Sequence, residues 1–196
     1  MNTLNAICVF CGSSDGNDIE VLEQAAVLGE TLAKKNISLV YGAAKIGVMG
    51  KVAQSSLDKG GKVIGVIPEF LKLKEVVHLG LTELITNKNM HERKMTMQEI
   101  SDGFITLPGG FGTLEELFEI LTWAQLGLHQ KPIGILNVNG FYDSLLELLE
   151  HMVKRGFLKM ENYELLLVDS TVDGLLNKMQ NFEPQSVPKW LTGDRT

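Results

Sequence analysis

The chain has 196 residues, a formal net charge of −6 at pH 7, 44% hydrophobic and 21% charged residues. This is globular usage, with enough chain for one domain and a sizeable core, and it is not the composition of a disordered segment. The acidic balance argues against nucleic acid as the main partner, yet leaves room for one small anion in a local basic pocket. Residues 5–11 read as a first strand. Its two cysteines, Cys8 and Cys11, are too few for a disulfide scaffold, and no second ligand pair completes a zinc ribbon. A redox C-x-x-C normally opens a helix, whereas this one lies in a buried strand.

A turn at 12–15 leads into a helix over 18–35, with Leu22, Ala25, Ala26, Leu28 and Leu32 near helical spacing. Residues 37–41 form a second strand, and the glycine-rich 42–50 leads into a helix ending near 59–61. A third strand over 63–67 is stopped by Pro68, and a fourth covers 81–86. A helix over 89–100 precedes a fifth strand at 103–107, stopped by Pro108, and a helix then runs to about Leu126. A sixth strand over 132–138, a helix over 141–155, and a last strand at 165–168 before a final helix complete the order. The strands are apolar throughout, as strands covered on both faces are. Strands alternating with helices predict a Rossmann-like doubly wound parallel α/β sheet with helices on both faces. We expect one domain over 1–180 and an irregular tail over 181–196. No run reaches the ~18 apolar residues of a membrane helix, and the N-terminus lacks a signal core. The expectation is a cytoplasmic protein with no membrane partner.

Ligands of such sheets bind beyond the carboxyl ends of the strands. The strongest signal there is Pro108-Gly109-Gly110-Phe111-Gly112-Thr113-Leu114-Glu115-Glu116, which follows a strand and opens a helix. Its glycines allow a sharp turn and close approach, and the N–H groups of the helix start suit a phosphate, with Thr113 as an added donor. It is neither a Walker loop nor a dinucleotide fingerprint. Glu115 and Glu116 are read into the first turn, where the dipole favours acids. Leu114, Leu117, Phe118 and Leu121 are expected as the core stripe, with Glu115 and Glu119 together on a solvated or dipole-favoured side; spacing alone does not choose a catalytic carboxylate. The second signal is Met90-His91-Glu92-Arg93-Lys94, where Arg93 and Lys94 either neutralise a phosphate or form a solvated basic face. Two more turns, Tyr41 to Gly50 and Gly12-Ser13-Ser14, offer ligand contacts or are simply tight turns. No His, Cys or carboxylate spacing marks a metal.

The combination P-G-G-x-G-T-x-x-E with M-x-x-R-K resembles the LONELY GUY (LOG) family of nucleotide phosphoribohydrolases. The likeness extends over Val9 to Ser14, Gly47 to Gly50, Val63 to Pro68, Thr122 to Gly127, Lys131 to Gly134 and Asn137 to Tyr142. The resemblance implies hydrolysis of the N-glycosidic bond of cytokinin riboside 5′-monophosphates or AMP to a free base and ribose 5-phosphate, without cofactor or metal. It makes Arg93 and Glu116 the catalytic pair. It places Glu75, Lys94, Glu115, Thr122 and the run Gly109, Gly110, Phe111, Gly112, Thr113, Leu114 in the substrate site, beside Ser13 and Gly42 of the other turns. It also implies a homodimer with sites near the subunit interface; the stripe around Leu117 to Leu126, with Trp123, either supplies that surface or packs on its own sheet.

On this reading Glu116, kept ionised partly by its helix N-terminus, stabilises charge at the anomeric carbon and positions water. Arg93 holds Glu116 and the ribose phosphate region, and the phosphate sits on the 110–113 turn. The family is often labelled possible lysine decarboxylase, but no lysine here stands in a pyridoxal phosphate context. Two departures stand out: Gly42-Ala43-Ala44 where the family often has Y-G-G-G, and Asn89 where plant members often have Asp. The alternative is a nucleotide-binding module without hydrolysis, which has no chemical need for Arg93 plus Glu116. An NAD-dependent dehydrogenase is disfavoured by the missing G-x-G-x-x-G.

Overall fold

Each apolar run is followed by a helix that returns the chain to the same end of the sheet, so the strands pair in parallel. A computed structural model describes residues 2–72 and 77–183. In chain order the elements are β1 (Ala6–Phe10), α1 (Ile19–Lys34), β2 (Ser38–Tyr41), α2 (Gly47–Asp58), β3 (Val63–Pro68), α3 (Glu69–Lys72), β4 (Glu83–Asn87), α4 (Met90–Glu99) and β5 (Gly103–Thr106). Then come α5 (Phe111–Gln125), β6 (Ile133–Leu136), a 3-10 turn (Val138–Gly140), α6 (Asp143–Lys154), α7 (Met160–Tyr163), β7 (Leu166–Asp169) and α8 (Val172–Gln180). The seven strands stand in the order β4-β3-β2-β1-β5-β6-β7, and every pair is parallel. This is the Rossmann-like sheet expected.

Three local expectations are corrected. The fourth strand lies at 83–87 and is partly exposed, with Glu83 and Thr86 open to solvent; an edge strand needs no apolar cover on both faces. The sixth strand ends at Leu136, because the chain turns through left-handed Asn139 (φ 49). The short helices α3 and α7 were not anticipated; neither buries a residue, so no apolar period announces them. The tail expected from 181 lies outside the described residues from 184 onward.

Alternation along the strands divides the core into two layers. Ile7 and Val9 of β1 face α1, α2 and α8, packing among Leu28, Leu32, Val52 and Leu175. Cys8 and Phe10 face the other way, toward Met97 of α4 and Leu117 and Ile120 of α5. Cys8 and Cys11 therefore belong to opposite layers; both are free and buried, and burial pushes both thiols up.

The strand order reverses between β1 and β5, and the chain beyond those two ends is tied together. Gly12 N–H donates to the Pro108 carbonyl (3.1 Å), and Leu107 N–H to that of Phe10 (2.9 Å). The start of α2 locks the same loop from the side: Met49 N–H donates to the Gly12 carbonyl (3.1 Å). Gly47 makes this possible. Its φ is +68°, and a Cβ there would run into the backbone of Ser13. Gly47→Ala should therefore cost about 2–3 kcal/mol, from the left-handed conformation and the collision together. Urea unfolding measures it; a loss under about 0.5 kcal/mol would show that the loop simply yields.

Candidate active site

Arg93 is placed by the first turn of α4. The Asn89 side chain accepts from Glu92 N–H (2.9 Å), and the Glu92 carboxylate accepts from Lys88 N–H (3.0 Å). This reciprocal cap fixes the helix start and turns Arg93 inward, where it is buried. Its Nε–H donates to the Val66 carbonyl within β3 (3.0 Å), and Nη2 stands 3.8 Å from Glu116 Oε1. Gly42 serves this arrangement rather than an open ligand surface, since a Cβ there would strike the guanidinium. Ala43 and Ala44 are buried, so their methyls do not crowd an open site.

The helix that carries Glu116 begins at Phe111, with Gly110 as an N-cap that makes no side-chain bond. The first backbone N–H to bond back is that of Leu114, to the Gly110 carbonyl (3.1 Å), so those of Phe111, Gly112 and Thr113 precede the intrahelical ladder. A Cβ on Gly110 or Gly112 would meet nothing, whereas one on Gly109 would collide with Thr113. Gly109 thus lets the turn pack, and the other two keep the helix start open. None of the three has positive φ. Thr113 itself is buried against this turn.

Two expectations about the carboxylates are corrected. α5 has no acidic residue in its first turn; Glu115 and Glu116 fall in the second, where the dipole has faded. Glu116 is accordingly not kept ionised by the helix start. Burial pushes its pKa up to about 7, against the pull of the Arg93 guanidinium; Glu115 raises it, Lys94 lowers it and Glu119 raises it. Lys94, read from the segment either as a phosphate partner or as part of a solvated basic face, has its ammonium on Glu115 (2.6 Å) and Glu119 (2.9 Å). Glu119 is therefore a partner of α4 rather than a solvated charge.

The remaining expected residues disperse. Ser13 lines a cleft of about 370 Å³ between the loop after β1, the Pro108–Gly110 turn and Phe141. That cleft lies at the reversal of strand order, where such sheets bind ligands. Phe111 is 94% exposed, and Leu114 packs against the α4–α5 core layer. The buried stripe of α5 is Leu117, Ile120 and Ala124, with Phe118 exposed, so most of that helix's apolar face covers its own sheet. Thr122 donates to the Phe118 carbonyl (2.7 Å) and borders a groove against α6 and α7 whose lining does not include Arg93. Glu75 lies outside the described residues. Sequence reasoning missed Phe141, Glu119 and the Val66 carbonyl. Glu119 carried a signal in its i, i+4 spacing from Glu115, and Phe141 and Val66 lie in segments of the family likeness that gave them no role. Among the described residues no cluster of His, Cys and carboxylates is arranged for a metal, and no helix is long and apolar enough to cross a membrane.

A family model described as "Possible lysine decarboxylase" matches residues 49–179. The chain is 46% identical over 180 residues to the probable cytokinin riboside 5′-monophosphate phosphoribohydrolase LOG6 of Arabidopsis thaliana, covering 92% of this chain and 90% of that protein. The chain belongs to the LOG family. It is also 45% identical to a probable phosphoribohydrolase of the same description, LOGL3 of Oryza sativa subsp. japonica, over 90% of this chain and 84% of that one. The LOG-family fold is shared more distantly with the Moco carrier protein of Chlamydomonas reinhardtii (TM-score 0.65, 20% identity, 88% of this chain and 93% of that one). The molybdenum cofactor binding protein of Rippkaea orientalis is similar to the same degree (TM-score 0.65, 23% identity, 87% and 92%). Both likenesses concern fold alone. The decarboxylase label fits this LOG-family site poorly. A lysine that forms a Schiff base needs a depressed pKa. Burial works against the Lys94 ammonium, but its hydrogen bonds to Glu115 and Glu119 outweigh that and hold its pKa above the ordinary lysine value.

The raised pKa of Glu116 has a cost in stability. Between its ordinary value of 4.5 and about 7, the folded state binds more proton than the unfolded one, so stability falls as pH rises through that window. Glu116→Gln should be more stable than the wild type at pH 8 by about 3 kcal/mol, a difference that shrinks to a few tenths by about pH 4. Denaturant unfolding at the two pH values checks this. Equal stabilities at pH 8 would mean that the carboxylate is well solvated or fully paired.

Proposed function

We propose that this chain hydrolyses the N-glycosidic bond of nucleoside 5′-monophosphates carrying an adenine-type base, giving free base and ribose 5-phosphate. The observation that carries the reading is the Arg93–Glu116 pair, a largely buried carboxylate with its pKa pushed up to about 7 facing an anchored guanidinium. Glu116 lies about 7 Å of helix axis beyond the open start of α5, a separation that a ribose 5-phosphate can span. The 5′-phosphate binds the N–H groups at Phe111 to Thr113, which brings the anomeric carbon to Glu116. As the bond to the base breaks, positive charge develops at that carbon, and the carboxylate stabilises it. The oxygen of a water adds to the carbon; Glu116 takes its proton, and that proton leaves with the base. A group with pKa near the working pH is suited to both halves of this transfer. Arg93 sets a fixed positive charge beside Glu116 and draws the phosphate side of the sugar toward it.

The names of the relatives support cytokinin riboside 5′-monophosphates as substrates, and we extend the reading to AMP. We place the reaction in the cytoplasm and the enzyme in a homodimer. The second subunit covers the α5–α7 face, where Phe118 is exposed beside a groove of about 250 Å³ that includes Thr122. In a dimer of that kind Thr122 serves the interface rather than the Arg93–Glu116 pair of its own chain.

Purified protein incubated with AMP and with isopentenyladenosine monophosphate should release free base. Glu116→Gln should lower kcat by at least about 10²-fold with nucleotide binding retained, and the wild-type kcat should rise with pH through about 7 as Glu116 ionises. The 5′-monophosphate should exceed the free nucleoside in kcat/KM by about 10²-fold or more, since phosphate binding positions the sugar. A protein that binds both nucleotides and releases base from neither would instead be a binding module.

A further inference from the structure

We propose that Glu119 is a positioning residue for the reaction: with Glu115 it grips the Lys94 ammonium and so fixes how Arg93 and Glu116 face each other across α4 and α5. The inference rests on the assignment of Glu116 as the reacting carboxylate.

The argument begins with unequal distances. Two adjacent cations on α4 meet three carboxylates on α5, and the contacts are not alike. Arg93 Nη2 is 3.8 Å from Glu116 Oε1, whereas Lys94 Nζ is 2.6 Å from Glu115 and 2.9 Å from Glu119. A separation of 3.8 Å is longer than a hydrogen bond, so Arg93 and Glu116 do not hold one another. The guanidinium is anchored from the sheet, through the Val66 carbonyl. Glu116 has no such anchor and goes where α5 goes. The charge-assisted bonds of Lys94 are the short ties between the two helices, and bonds of that kind are about twice as strong as neutral ones.

Burial separates this strut from an ordinary surface bridge. The Lys94 side chain is 15% exposed and that of Glu119 24%, so solvent screens the pair less than the exposed pairs that contribute little. Lys94, Glu116 and Glu119 also border one pinched void of about 10 Å³, together with Phe10, Phe104 and Trp123. A space of that size holds at most about one water. The strut therefore lies behind Glu116, against the aromatic floor, and Lys94 spends its charge on two carboxylates there rather than on a phosphate.

The electrostatics give a readout that packing alone would not move. The charged groups facing Glu116 are Arg93 and Lys94 from α4 and Glu115 and Glu119 from its own helix, with the buried thiols Cys8 and Cys11 on the β1 side. Glu119 raises the pKa of Glu116, so its removal should move the acid limb of kcat to lower pH.

The experiment compares wild type, Glu119→Ala, Glu119→Gln and Glu116→Gln. It uses AMP or isopentenyladenosine monophosphate, whichever the wild type turns over, across the pH range. For Glu119→Ala we expect kcat to fall about tenfold with KM within about twofold, and the acid limb to shift to lower pH. Glu119→Gln keeps an oxygen for Lys94, so it should recover most of kcat while keeping the pH shift. If Glu119→Ala folds poorly, Glu119→Asp decides: it keeps the charge but shortens the reach to Lys94, which is 2.9 Å in the wild type. Its kcat should fall with KM and the pH profile unchanged, and an unchanged kcat overturns the proposal. The proposal is overturned if KM rises while kcat stays unchanged, which would put this cluster on the substrate. It is equally overturned if only the melting temperature falls, with kcat and its pH profile as in the wild type. An inert Glu116→Gln beside a normal Glu119→Ala removes the strut and leaves the reaction assignment standing. A fully active Glu116→Gln removes both.

Discussion

The site depends on a carboxylate kept out of water without being fully compensated. Glu116 sits between two opposed tendencies: burial, which favours its neutral form and prevails, and the Arg93 guanidinium at 3.8 Å, which favours the charged one. A tight bidentate bridge would have resolved the conflict in favour of charge and produced an inert structural ion pair. The looser geometry leaves burial ahead, so the group titrates near neutrality. That is a poor arrangement for stability and a suitable one for proton transfer. Arg93 can stand at this distance because its Nε–H is held by the Val66 carbonyl, which fixes the guanidinium from the sheet rather than from the carboxylate.

The division of the core explains how the fold tolerates this. The layer formed by α1, α2 and α8 is apolar and deeply buried against β1, β2 and β5, and it holds no member of the Arg93–Glu116 or Lys94 pairs. The layer formed by α4 and α5 carries the charges. α4 in particular buries only Arg93 and Met97, so it cannot be held by an apolar stripe and depends on polar ties: the Asn89–Glu92 cap, the Val66 carbonyl and Lys94. An element placed by hydrogen bonds and ion pairs is placed with more directional control than one placed by hydrophobic contact alone, and the reaction needs that control.

The order of strands and helices was legible because β1, β3 and β5 are nearly wholly buried, which leaves uninterrupted apolar runs bounded by Pro68 and Pro108. Legibility fails where those causes fail. β4 is at the edge and mixes exposed and half-buried residues, and α3 and α7 are single turns with nothing buried. In the site, Arg93 and Glu116 were legible through their motifs, and the structure brings them face to face. The partners of Lys94 were not, because α4 and α5 meet only in the tertiary fold. Nor was the protonation of Glu116: a helix position near an N-terminus suggests ionisation, and the burial that opposes it comes from distant residues such as Phe10 and Phe104.

The turn after β2 shows how a motif can change without touching the chemistry. Ala43 holds φ +68° and is buried, an arrangement usually left to glycine. Its neighbour Gly42 has to remain glycine, because the Arg93 guanidinium occupies the space of a Cβ. The methyl of Ala43 is accommodated from the other side: Gly65 of β3 lies against it, and a Cβ on Gly65 would meet the Ala43 Cβ at 2.8 Å. The strained alanine is further held by His78, whose N–H donates to the Ala43 carbonyl (3.0 Å), and by the bridge from Ala44 to Val77. The turn thus acts as a wall behind Arg93. A methyl on the side away from the guanidinium alters packing against β3 and leaves the distance between Arg93 and Glu116 to the groups that set it.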